Sequence, residues 1–162
     1  MKKVAILSYY SGRWSRGAET WAFNLKQRLQ DKIQVEIISG WKSHIPFFWL
    51  SSDIIVPVNG RSQALLSRIF CWITGRPMVV FGNSGPGVDD KWNLWCGPNI
   101  FVAFSTPQAA WANKFKLPWT KVIVIPHAVD TKMFAPDPKI KKTVDVLCVA
   151  ANNPDKRVDL VR

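Results

Sequence analysis

Histidine and cysteine are scarce in this 162-residue chain. The only histidines are His44 and His127, and the three cysteines, Cys71, Cys96 and Cys148, lie far apart and fit no CxxC spacing. A structural zinc site needs clustered ligands and a disulfide framework needs paired cysteines, so neither is expected, and no metal is called for. Free thiols fit a reducing compartment, which makes a cytoplasmic location the expectation. Long apolar runs are missing too. The most lipid-like segment, Ile45 to Val58, contains Pro46, Asp53 and Pro57 and falls short of the roughly 20 apolar residues that a spanning helix requires. Met1-Lys2-Lys3 imitates the start of a signal peptide, but polar Ser8 ends the apolar run Val4-Ala5-Ile6-Leu7, which reads better as a first strand. No GxGxxG is present, and Ser39-Gly40 stands where a dinucleotide-binding oxidoreductase would carry an acidic residue.

Acidic residues are outnumbered: 22 Lys and Arg stand against 11 Asp and Glu, a formal charge of +11. The positive charges are scattered and no nucleic-acid-binding motif is visible, so they suit solubility and weak anion steering better than a specific nucleic-acid groove. With 48% hydrophobic residues the chain sits far from disordered compositions and has length for one domain and the start of another. Nine tryptophans and nine phenylalanines are mostly core material. The segment Trp41-Lys42-Ser43-His44-Ile45-Pro46-Phe47-Phe48-Trp49 also has the composition of a peptide resting on a membrane interface.

Periodicity supplies the fold class. Val4 to Leu7 is a continuous apolar run, the pattern of a parallel strand covered on both faces. From Gly17 onward Ala18, Trp21, Ala22, Leu25 and Leu29 recur at helical spacing, with Lys26, Gln27 and Arg28 off that face. Strands are expected at Val35–Ile38, Ile54–Val56, Met78–Phe81, Ile100–Phe104 and Val122–Ile125. Helices are expected from about Ser62 to Thr74, stopped by Gly75-Arg76-Pro77, and from Thr106 to Lys116. The alternation predicts an α/β, doubly wound, mostly parallel sheet of Rossmann-like type. Residues 126–143 have linker composition, with three prolines, and Val144 to Ala150 is again a buried-type strand before a helix that starts at Lys156.

Four stretches resemble the group 4 glycosyltransferases, retaining enzymes built from two Rossmann-like domains in the GT-B arrangement. They are Arg16-Gly17-Ala18-Glu19, Gly75-Arg76-Pro77-Met78-Val79-Val80, Ile125-Pro126-His127-Ala128-Val129-Asp130 with Phe134 and Pro136, and Val146 to Lys156. The resemblance implies an acceptor-binding amino-terminal domain over 1–126, a linker over 127–143, and over 144–162 the first βα unit of a truncated nucleotide-sugar-binding domain. It implies transfer of a sugar from a nucleotide diphosphate sugar to a sugar or lipid-linked acceptor with retention, without a cofactor. A chain lacking most of the donor domain is expected to be inactive alone. The other reading is a non-catalytic basic α/β module for an anionic partner, nucleic acid or a membrane surface.

Candidate site residues follow. Gly12, Arg16 and Gly17 precede or open a helix, where free N–H groups favour a diphosphate. The loop carrying Asn83, Ser84, Gly85, Asp89 and Asp90 follows a central strand at its carboxyl end, where open α/β sheets place ligands. Asn83 or Ser84 stands where many relatives carry a histidine, so no catalytic residue is assigned. Asp89 and Asp90 either bind an acceptor hydroxyl or cap a helix through Trp92 and Trp95. Lys156 and Arg157 stand where the family meets the donor diphosphate. His127 reads as a hinge residue, and a peripheral contact with the inner membrane face completes the expectations.

Overall fold

The computed structural model describes residues 1–13 and 17–128, with 131, 135, 139, 141 and 143. The chain divides into two compact units, Met1–His127 and Ala128–Arg162. Arg16, the strand expected at 144–150, Lys156 and Arg157 lie outside the described residues. The first unit runs β1 (Lys3–Ser8), α1 (Gly17–Leu29), β2 (Gln34–Ser39), two 3₁₀ turns (Gly40–His44 and Pro46–Trp49), β3 (Ile54–Pro57) and α2 (Arg61–Thr74). It continues with β4 (Val79–Phe81), α3 (Val88–Trp95), β5 (Ile100–Ala103), α4 (Thr106–Phe115) and β6 (Lys121–Val124).

All strand pairs are parallel, in the orders β2-β1-β3 and β4-β5-β6. A bridge between Ile55 and Met78, and the Ile55 N–H donating to the Pro77 carbonyl at 3.1 Å, join the two sheets edge to edge. The unbroken apolar runs are thereby explained. In β1, Ala5 and Leu7 face one core with Trp49, Ala64, Phe70, Leu94 and Ala109, while Val4 and Ile6 face another with Ala22, Trp21 and Leu25. Thus α1 covers one face, and the 3₁₀ segment, α2, α3 and α4 cover the other, a Rossmann-like doubly wound unit.

Local rules set the element ends. Gly75, at φ +69°, closes α2 by donating its N–H to the Cys71 carbonyl, a left-handed cap that glycine adopts without steric cost. Ser105 caps α4 by accepting from the Gln108 N–H at 3.3 Å, with Pro107 in the first turn. Two stretches differ from the expectation. The segment 40–49 folds into two 3₁₀ turns, and Trp49 is fully buried against the Phe70 ring, centroids 4.6 Å apart. Trp49 is therefore core and not part of any membrane-facing tip. The helix through Trp92 and Trp95 is α3, whose cap position is Gly87; Asp89 and Asp90 lie in its first turn and do not cap it. Among the described residues no helix is long and apolar enough to cross a membrane.

Candidate functional site: a cleft at the strand ends

The strand order reverses between β1 and β3: the chain winds from β1 outward to β2, then returns and winds the other way from β3. At such a point the loops after neighbouring strands diverge and leave a crevice at the carboxyl ends. A cleft of about 240 Å³ sits there, walled by the loops after β1, β3 and β4 and by the first turns of α1 and α3.

The loop after β3 is held by side chains that satisfy its backbone. Gln63 Oε1 accepts from the N–H groups of Val58 and Asn59, both at 3.1 Å, and Gln63 Nε2 donates to Ser43 Oγ at 3.1 Å. Asn59 Oδ1 accepts from the Tyr9 N–H at 2.6 Å, which turns Asn59 Nδ2 toward Glu19 Oε1 at 3.5 Å. Gly60 has φ +65°, a conformation that favours glycine, and a Cβ there would press on Asn93 Oδ1 at 3.0 Å. Arg61 follows at φ +47°, a left-handed conformation costly for a residue with a side chain. Its Nε meets Asp89 Oδ1 at 2.9 Å, an ion pair between two exposed groups.

Three acceptor oxygens of the cleft are buried without a hydrogen-bond donor: Glu19 Oε2, Asp90 Oδ1 and Asn93 Oδ1. Their residues are 6%, 0% and 6% exposed. A buried polar atom left unpaired costs about 1–3 kcal/mol, so three together favour a ligand rich in donors. Burial pushes the Asp90 carboxyl up to about 6, with the neighbouring Asp89 carboxylate adding to the rise. The Ser84 N–H and the side-chain amides of Gln108 and Asn93 pull it part of the way back. Only Gln108 Nε2 completes a hydrogen bond, to Oδ2 at 3.2 Å. A carboxyl titrating there can accept a proton from a bound hydroxyl near neutral pH. The lining carries three carboxylates against one guanidinium, Arg61, so it favours neutral, hydroxyl-rich groups over anions.

Of the residues singled out in the sequence, Asn83, Ser84, Asp89 and Asp90 line this cleft. Gly85, at φ +74°, shapes the same loop without lining it. Gly12 instead borders a second cavity of about 420 Å³, with Glu19 and Phe23 on its wall. Gly17 is the exposed first residue of α1. His127 is exposed and stacks on Phe104, centroids 3.6 Å apart. Sequence reasoning passed over Glu19, Asn59, Gly60, Arg61 and Asn93. Asn59-Gly60, a turn dipeptide directly after an apolar run, was the available signal, and Glu19 stood inside the Gly-Ala-Glu stretch already quoted. Among the described residues no three His, Cys, Asp or Glu side chains gather as metal ligands.

The first unit is a Rossmann-like α/β fold with a cleft at the carboxyl ends of its strands. Two solved structures share this fold: Anabaena HepE in complex with UDP, at 15% identity and a TM-score of 0.57, and the same protein with UDP and glucose, at 14% identity and 0.57. Each match covers 85% of this chain and 47% of the HepE chain, so this chain spans about half the length of that protein. No protein-family model matches the sequence, and no curated protein matches it.

Proposed function

We propose that residues 1–126 are the acceptor-binding domain of a retaining group 4 glycosyltransferase, joined by 127–143 to the opening of a nucleotide-sugar-binding domain at 144–162. The observation that carries this reading is the cleft at the strand-order reversal, with three buried acceptor oxygens on Glu19, Asp90 and Asn93 that lack donors. Sugar hydroxyls supply such donors, and a lining with three carboxylates against one guanidinium suits an uncharged ring better than an anion. The fold likeness to a protein captured with UDP and glucose supports it further. Here Glu19 and Asn93 orient the acceptor, Asp90 receives a hydrogen bond from the reacting hydroxyl, and Asn83 and Ser84 border the ring. The donor is a nucleotide diphosphate sugar and the acceptor a sugar or a lipid-linked sugar. No cofactor is used, the donor diphosphate is met by Lys156 and Arg157, and the reaction is cytoplasmic. Gly12, Arg16 and Gly17 are kept as a diphosphate loop. The 162-residue chain alone is inactive.

The reading is tested by titrating the 162-residue chain separately with neutral mono- and disaccharides and with UDP, following backbone amide resonances. Saccharides are expected to shift the amides of Glu19, Asn59 and Asp90, and Glu19→Gln, which turns an acceptor into a donor, is expected to abolish the shift. No saccharide response at millimolar concentration, or an unchanged response in Glu19→Gln, overturns it.

A further inference from the structure

Helix α2 carries large apolar residues on its outer side as well as its inner one. Ala64, Phe70 and Cys71 are buried against the sheet, with Gln63 and Ser67, as a core-facing stripe requires. The opposite arc carries Leu65, Leu66, Ile69, Trp72 and Ile73, spaced at one, four, seven and eight residues from the first, and all are exposed; Trp72 and Ile73 reach 79%. A globular helix normally turns charged and polar side chains outward, so five large apolar residues on the solvent side call for a covering surface.

The 3₁₀ segment, packed against α2, exposes further aromatic residues. It is bound to α2 through the Trp49–Phe70 ring contact and the Gln63–Ser43 hydrogen bond, and it exposes Trp41 and Phe47, at 58% and 74%. The charges in the two segments have one sign. Residues 40–52 and 60–77 contain Lys42, Arg61, Arg68 and Arg76 and no carboxylate. Arg61 is paired with Asp89, and Arg76 lies over the buried Phe70 ring with its Nη1 out of solvent, which leaves Lys42 and Arg68 to meet an anionic surface. Tryptophan, phenylalanine and aliphatic side chains rimmed only by cations match a bilayer interface with anionic headgroups, where rings and methyls enter the acyl boundary and cations stay at the phosphates. Pairing of two copies through this face would set the same cations against each other, which the lipid phosphates avoid.

We propose that the outer face of α2, with Trp41 and Phe47 of the 3₁₀ segment, docks the protein onto an anionic membrane surface. The first residue of α2, Arg61, lines the cleft, so the docked helix leads from the bilayer to the site. The proposal does not depend on what the cleft binds.

The test is flotation of the 162-residue chain with vesicles of phosphatidylcholine alone and of phosphatidylcholine with phosphatidylglycerol. Binding to the anionic vesicles and its weakening by salt are expected. The triple variant Ile69→Gln, Trp72→Gln, Ile73→Gln should lose at least about tenfold in partitioning, and Arg68→Glu about tenfold. These side chains are on the solvent side, and thermal melting confirms each variant is folded; should the triple variant not fold, Phe47→Ser and Arg68→Glu carry the test. Absence of anionic-vesicle binding, or equal binding by the variants, overturns the proposal. So does a dimer in sedimentation that the triple variant dissociates while the parent ignores lipid; the face would then be a contact between copies.

Discussion

Gln108 Nε2 donates to Asp90 Oδ2 at 3.2 Å and to the Gly82 carbonyl at 2.7 Å, so one buried amide ties α4 to α3 and to the end of β4 directly beneath the cleft. Its Oε1 accepts from the Phe104 N–H at 2.7 Å, closing the turn between β5 and α4. Gln63, also the third residue of its helix, closes the turn after β3 in the same way. Glutamine suits both places because its oxygen accepts from N–H groups of the turn while its nitrogen donates to an acceptor on a neighbouring segment, Ser43 for Gln63 and Gly82 for Gln108.

Gln108→Leu is expected to destabilise the chain by about 3 kcal/mol, since it leaves the Gly82 carbonyl, the Phe104 N–H and one oxygen of Asp90 without partners. Urea unfolding at pH 7.5 measures this; a loss below about 1 kcal/mol would show that water satisfies these groups as well as the glutamine does.

The Asp90 carboxyl, raised from 3.8 to about 6, makes stability depend on pH. Between those values the folded chain holds a proton that the unfolded chain releases. Stability therefore declines as pH rises from about 4 to about 6, by roughly 3 kcal/mol for a shift of about two units, and is flat above. Asp90→Asn removes the buried charge and is expected to be more stable than the parent at pH 7.5, by up to about 2 kcal/mol, with the advantage vanishing near pH 4. Denaturation curves at the two pH values decide it; equal differences at both would mean that Asp90 is not held protonated by the fold.

Gly82→Ala would drive a methyl into the Gln108 amide and to 3.0 Å from the Phe101 ring. Neither has room to retreat, because the amide is fixed at both ends and Phe101 is wholly buried. A loss of about 1–3 kcal/mol is expected, together with a weakened saccharide response in the amide spectra. Retained stability would place the slack in β4.

Cys71 and Cys96 are buried, and burial pushes the Cys71 thiol up to about 11 and the Cys96 thiol upward as well. Thiolate is the reactive form, so iodoacetamide at pH 8 should leave both unlabelled in the folded chain and label both in urea, as read by peptide mass spectrometry. Rapid labelling of Cys71 in the native chain would contradict the packing of α2.

The sequence determined by itself what depends on near neighbours. The continuous apolar run Val4–Leu7 read as a strand covered on both faces, Ile54–Val56 as a strand, Gly75 as the stop of α2, and Ser105 or Thr106 as the cap of the helix that Ser105 caps, because periodicity and capping are local chemistry. Asn83, Ser84, Asp89 and Asp90 were legible as candidate site residues because a glycine-rich loop followed a central strand, and they line the cleft. Tertiary structure alone decided which distant side chains share that cleft. Glu19 and Asn59 are 40 residues apart and meet only because β1 and β3 pair side by side. Asp90 acquires its high pKa only because folding removes it from water, and no spacing in the chain announces that. The apolar residues of α2 show the same division: the chain read as a helix from about Ser62 to Thr74, but only the packed sheet decided that Phe70 faces inward and Trp72 outward.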